Sequence, residues 1–211
     1  MDTADFRYQK INLLDKYNVA ITTSMVQDKF GFLWIGTNVG LFRYDGGTYK
    51  QYRYVPGKVN TLANELVTAL AVNDSFLFIG TQTGLSILDF RTDSITNFHS
   101  GVSNPNSPEG FRIAALLWHK ERLWILGNNF TLTSYDLSKK VFQHYNLQKP
   151  QVAAEDYIVF DVRKLLPDNK DPNALWISST YGLYKFNIGD NSIQLIRAPG
   201  KAISIRRMCL V

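Results

Sequence analysis

Apolar positions in this chain come in short alternating or continuous runs, not in helical stripes. "FLWIGT" (32–37) and "GLFRYD" (40–45) are rich in aromatic and β-branched residues and are bounded by Gly, Asp and Asn, as strands are. The pair returns as "LFIGTQTGLSILD" (77–89), "LWILGNNFTLTSYD" (123–136) and "LWISSTYGLYKFN" (175–187). Its anchoring aromatics, Trp34, Phe78, Trp124 and Trp176, are spaced by 44, 46 and 52 residues. Self-similarity at such a period marks a repeat architecture.

Each copy carries two further strand patterns. Ahead of the pair lie "ITTSMVQD" (21–28), "LVTALAVN" (66–73), "FRIAALLWH" (111–119) and "YIVFDVRKLL" (157–166). Behind it lie "TYKQYRY" (48–54), "SITNFHS" (94–100), "KVFQHYN" (140–146) and "NSIQLIR" (191–197). Every unit thus reads as four strands, A to D, with A most apolar and D most polar. A radial sheet walls in its inner strand and leaves its outer strand facing water, so the gradient predicts an all-β fold, a β-propeller of four-stranded antiparallel blades. The expected blades are 21–54, 66–100, 111–146 and 157–197. Residues 6–15 read as an outer strand of a closing or preceding blade and 202–211 as the start of a fifth. The pattern therefore predicts one domain over 1–211, a truncated piece of a larger propeller.

Composition fits a packed domain: 45% of the 211 residues are hydrophobic and 19% are charged. The net charge of +5 comes from scattered bases, adjacent only in pairs such as Arg206-Arg207, so no nucleic-acid stripe is indicated. The single cysteine, Cys209, builds neither a disulfide nor a metal cluster. No run is long enough for a membrane helix, and the N-terminal residues lack the layout of a signal peptide.

The stretch "MVQDKFGFLWIGTNVGLFRYDGGTYKQY" (25–52) resembles the two-component regulator propeller repeat, and "NTLANELVTALAVND" (60–74) is similar to that family's leader into its next blade. The resemblance is strongest in the first unit and weakest in the third, where "ILGNNFTLTSYD" loses the Gly-Leu pair. It implies the extracytoplasmic, periplasmic sensor domain of a hybrid two-component system histidine kinase. Membrane attachment would then come only through other parts of the parent protein. The kinase itself is absent from this sequence, which contains no catalytic His box and no nucleotide site.

Several motifs have a structural explanation. Gly36 and Gly40 lack the Gly-Lys-Ser/Thr ending and following helix of a phosphate loop. The reading here is that Gly36, Gly80 and Gly127 let blades approach closely, while Gly40, Gly84 and Gly182 serve the B–C turns. The tryptophans at one repeated slot predict packing between blades. His99, His119 and His144 are the only histidines; His99 and His144 fall on outer strands of different blades, so they do not converge on a metal. "DNKDPN" (168–173) lacks the alternating ligand spacing of a calcium loop and reads as a turn. No nucleophile elbow or Cys–His pair appears, so the chain is read as a non-enzyme without cofactor or metal.

The A–B turns are short, as in "DKFG" (28–31) and "HKE" (119–121), whereas the D-to-A crossovers are long: 55–65, 101–110 and 147–156. Long loops on a rigid scaffold carry binding sites, which places the ligand face on the crossover side with the B–C turns. The candidate ligand-binding residues there are Asn38, Gln82, Arg112, Asn128, Asn129, Tyr157 and Tyr181. Amides, an arginine and aromatics suit a small oligosaccharide or another hydroxylated or anionic ligand. Two other readings remain: a protein-docking propeller scaffold, and a streptogramin-lyase-like propeller enzyme. Open blade edges further predict a homo-oligomer, such as a dimer.

Overall fold

The computed structural model describes residues 21–100, 106–110, 112–128, 131–147, 162–179 and 182–196. All regular structure in them is β. Blade 1 comprises β1 (Thr22–Gln27), β2 (Leu33–Thr37), β3 (Gly40–Tyr44) and β4 (Tyr49–Tyr52), and blade 2 comprises β5 (Val67–Val72), β6 (Phe76–Thr81), β7 (Gly84–Asp89) and β8 (Ser94–His99). Blade 3 comprises β9 (Ile113–His119), β10 (Arg122–Gly127), β11 (Thr131–Asp136) and β12 (Val141–Asn146). Blade 4 comprises β13 (Val162–Pro167), β14 (Ala174–Ser179), β15 (Gly182–Asn187) and β16 (Ile193–Ile196). Each blade is one antiparallel sheet in sequential order. This is the propeller architecture that the strand gradient predicts. Residues 6–15 and 202–211 lie outside the described residues.

The core is made between blades, not within them. Trp34, Leu41 and Leu62 pack against Val67, Leu70 and Ile79 across the first seam. Phe78, Leu85 and Ile87 meet Ile113, Leu116 and Ile125 across the second, and Trp124, Leu126 and Leu132 meet Leu165, Ile177 and Phe186 across the third. Inner strands pack in the order β1, β5, β9, β13, and no comparable packing returns β13 to β1 among the described residues. The blades therefore form an arc.

The two ends of the arc show what a neighbour supplies. Leu70, Leu116 and Leu165 occupy one register slot, opposite Ile79, Ile125 and Ile177, and all are buried. Met25 fills the same slot opposite Ile35 but is 60% exposed. At the other end Trp176 is only partly buried, with Lys185 Nζ 5.3 Å from its ring centre. The expectation of core packing thus holds for Trp34, Phe78 and Trp124, and is corrected for Trp176: no described blade follows to cover it.

Glycine roles are likewise sharpened. A Cβ on Gly36 would come within 2.7 Å of Val67 Cγ1, and one on Gly80 within 2.6 Å of Ile113 Cγ2, so both permit close blade approach. Gly127 does not share that role. It pairs with Thr131 at the turn, and the residue opposite the inner strand one step earlier is the fully buried Leu126. A side chain fills in blade 3 the space that glycine leaves in blades 1 and 2.

Each inner strand bears a β-bulge near its start, at Thr23, Thr68, Ala114 and Arg163. The bulged hydroxyls bridge to the next blade: Thr23 Oγ1 donates to Val67 O at 2.8 Å and Thr68 Oγ1 to Ile113 O at 2.6 Å. These bonds satisfy carbonyls on inner-strand edges that have no ladder partner. Ala114 has no hydroxyl to make the third.

Candidate functional site

The B–C turns and the D-to-A crossover of blade 1 build one face of the arc. The turns are tightly held. Thr37 Oγ1 donates to Gly40 O at 2.8 Å, Thr81 Oγ1 to Gly84 O at 2.8 Å and Ser179 Oγ to Gly182 O at 3.2 Å. Gly40 has φ +112° and Gly84 φ +153°; a Cβ there would strike Tyr52 O at 2.6 Å and Phe98 O at 2.2 Å. Blade 3 lacks this glycine and closes its turn with one more residue, between Gly127 and Thr131. That lengthening explains how the Gly-Leu pair is dispensed with.

Asn38 and Asn128 sit at these tips and face the starts of their own inner strands. Asn38 Oδ1 accepts from Ile21 N at 3.3 Å, and Asn38 N donates to Ile21 O at 3.3 Å. Asn128 Oδ1 accepts from Arg112 N at 3.2 Å and its N donates to Arg112 O at 2.9 Å. Each carbonyl oxygen is thus committed to holding the tip, and neither Nδ2 group makes a hydrogen bond among the described residues. Gln82 N donates to Leu66 O at 3.1 Å, and its side chain is exposed. Arg112 is exposed, without an ion pair among the described residues. The fold therefore brings Arg112 beside Asn128 and places Asn38 and Gln82 at the equivalent turns of blades 1 and 2. Asn129, Tyr157 and Tyr181 lie outside the described residues.

The crossover from β4 to β5 is a built structure. Leu62 is fully buried in the first seam, and Asn60 Oδ1 accepts from Ile95 N at 2.6 Å. Asn97 Nδ2 donates to Thr61 O at 2.8 Å and Ala63 N to Ser86 Oγ at 2.9 Å. Glu65 joins the loop's ends, taking bonds from Arg53 Nε at 2.7 Å and Tyr54 N at 3.1 Å. Held this way, the loop displays Tyr54, Val55 and Val59, the last 92% exposed. Sequence reasoning located this loop but not these side chains. The signal was available in "TLANE", where the apolar pair Leu62-Ala63 between polar residues marks the anchor.

On the opposite face, Asp28 Oδ1 accepts from Phe30 N at 2.9 Å and Phe32 N at 3.0 Å, while Oδ2 accepts from Trp34 Nε1 at 2.7 Å. At the outer rim Lys50 Nζ and Tyr52 Oη reach Asp93 at 2.5 and 2.9 Å, joining blade 1 to blade 2. Burial would raise the Asp93 carboxyl, but the bonds from Lys50 and Tyr52 outweigh it and hold the pKa low. Burial would likewise lower Lys50, and Asp93 and Tyr52 raise it instead.

Residues 18–39, which span β1, β2 and the turn tip, match the family described as two component regulator propeller. The chain carries a two-component regulator propeller repeat. Solved structures agree with this in fold. The extracellular domain of a B. thetaiotaomicron protein assigned as a hybrid two component system matches this arc with TM-score 0.69 and 21% identity, over 86% of this chain and 25% of that one. An extracellular domain assigned to a one component system of the same organism gives 0.64 and 18%, over 88% and 23%. A catalytically inactive virginiamycin B lyase from Staphylococcus aureus with quinupristin gives 0.66 and 14%, over 92% and 60%. This chain spans about a quarter of the length of these two extracellular domains. Among curated proteins none matches it in sequence.

Proposed function

We propose that this arc is part of the extracytoplasmic, periplasmic sensor of a hybrid two-component system kinase, and that its crossover face binds an oligosaccharide without turning it over. The match of residues 18–39 to the regulator propeller family carries this reading. The face supports it chemically: Asn128 is bonded to the Arg112 backbone through its Oδ1 and keeps its Nδ2 donor, and the exposed Arg112 side chain has no ion pair among the described residues, so the two can bond vicinal hydroxyls or a uronate carboxylate. A thermal-shift and calorimetric screen of neutral and acidic oligosaccharides is the test. A hit should raise Tm, and Arg112→Ala with Gln82→Ala should abolish the rise without lowering Tm of the free protein. Turnover of any hit would overturn the sensor reading in favour of a propeller enzyme.

A second reading, docking of a protein, rests on the β4–β5 crossover, whose rigid framework exposes Tyr54, Val55 and Val59. The exposed Met25 and partly exposed Trp176 offer an apolar surface at each end of the described arc on which other blades, including those of a second copy, could pack.

A further inference from the structure

The three seams are built on one plan but closed differently at the outer rim. In the first, Lys50 and Tyr52 of β4 converge on Asp93 in the C–D turn of the next blade. In the second, Phe98 of β8 fills the rim by packing on Tyr135 and Phe142, with ring centres 5.5 and 5.2 Å apart. The third has the geometry of the first with different chemistry. Tyr145 pairs with Leu132 as Tyr52 pairs with Leu41, and Gln143 stands two residues before it, as Lys50 does before Tyr52. Asn191 occupies the left-handed turn position, φ 59°, that Asp93 holds at φ 52°. The lysine and aspartate of the clasp are here two amides.

Those amides do not close the rim. Gln143 and Asn191 make no side-chain hydrogen bond among the described residues, and a cavity of about 290 Å³ opens where the clasp would be. Gln143, Tyr145 and Asn191 line it together with Leu147, Phe186 and Ile193. His144 also borders it, but its ring bonds Thr133 Oγ1 at 3.1 Å. The Tyr145 ring is fixed against Trp124 and Phe186, with centres 5.7 and 5.1 Å away.

We infer that the outer seam between blades 3 and 4 is a binding site for a small neutral hydroxylated ligand, about one hexopyranoside ring in size. Each primary amide offers a donor and an acceptor, the pairing that a vicinal diol needs. Tyr145 and Ile193, the apolar lining residues that are only partly buried, offer an apolar edge to the C–H face of a sugar ring. None of the lining residues is Lys, Arg, Asp or Glu, so a charged ligand would be desolvated without compensation. The volume lies at the small end of ligand pockets, roughly 300–1,000 Å³, which favours one ring over a chain. Apart from Leu147, which opens the blade-3 crossover, its lining comes from β12, β15, β16 and the C–D turn of blade 4, and it contains neither Asn38 nor Gln82.

The test is a titration of the full ¹⁵N-labelled chain with the methyl glycosides of glucose, galactose, mannose and N-acetylglucosamine, following side-chain amide resonances. At least one glycoside should shift the Gln143 and Asn191 amides saturably while leaving Gln82 and Asn38 unmoved. The double variant Gln143→Lys/Asn191→Asp should rebuild the clasp, raise Tm and weaken that binding at least about tenfold. Gln143→Ala/Asn191→Ala, which alters only exposed side chains, should lose the binding without the gain in Tm, and serves if the first variant fails to fold. Absence of any shift with all four glycosides would overturn the inference, as would undiminished binding by the alanine variant. Shifts at Gln82 or Asn38 alone would support the crossover-face reading and sink this one.

Discussion

The indole of Trp34 donates a 2.7 Å hydrogen bond to the carboxylate of Asp28, which also accepts two backbone N–H groups of its own turn. A single buried side chain thus ties the A–B turn of blade 1 to the aromatic that fills the first seam. Replacing it by alanine leaves an indole N–H and two amides without their acceptor. Asp28→Ala should cost about 3 kcal/mol in urea unfolding, and Asp28→Asn about 1 kcal/mol, because the amide oxygen still accepts.

Glycine substitutions should separate by position. Gly84→Ala drives a Cβ into Phe98 O from a left-handed backbone and should cost about 3 kcal/mol. Gly47, whose nearest atom would be 3.8 Å from a new Cβ, should accept alanine within about 0.5 kcal/mol. Thermal melts of the two variants give the comparison.

The inner-strand hydroxyl bonds make a third prediction. Thr68→Val keeps shape but removes the donor to Ile113 O, and should destabilise by about 1 kcal/mol. Thr23→Val should do the same at the first seam, and the two losses should add, since each hydroxyl serves a different seam. Denaturant midpoints of the single and double variants decide this.

Acid should loosen specific turns. The bonds from the Thr48 side chain, then from the Thr48 and Gly47 amides, bring the Asp45 carboxyl down to about 2, and Asp93 is also lowered. For a group depressed on folding, the stabilisation is complete above the unfolded value of 3.8 and disappears as pH falls through the folded value. Stability should therefore drop between about pH 4 and pH 2. Lys50 is raised, so its share is lost only as pH climbs past its folded value, on the far alkaline side. Asp45→Asn and Asp93→Asn should each flatten the acid limb of a stability–pH curve.

Most of the fold was legible because it rests on local patterns. Strand runs, and in blades 1, 2 and 4 the Gly at the C-strand start and the Thr or Ser that clips the B–C turn, all lie within a few residues of one another. The candidate site was legible only in outline. Asn38 and Asn128 read as ligand groups, yet their carbonyls serve the inner strands of their own blades, a contact of distant residues that spacing does not reveal. Gln143 and Asn191 went unseen because neither is unusual alone. They acquire meaning only beside Lys50 and Asp93, once register shows that the two pairs occupy the same place. The misassigned role of Gly127 has a related cause, since an extra turn residue shifts the apparent alignment of blade 3 by one.

Met25 carries one further consequence. Three leucines fill its slot where the facing blade is defined by the same repeat, but here the side chain is unbranched, with a polarizable sulfur and several easily rotated bonds. A leucine demands a socket of fixed shape; a thioether moulds itself to the socket it is offered. Whatever comes to rest against the first inner strand will meet a pliable gasket, and the joint can seal without a perfect match of surfaces.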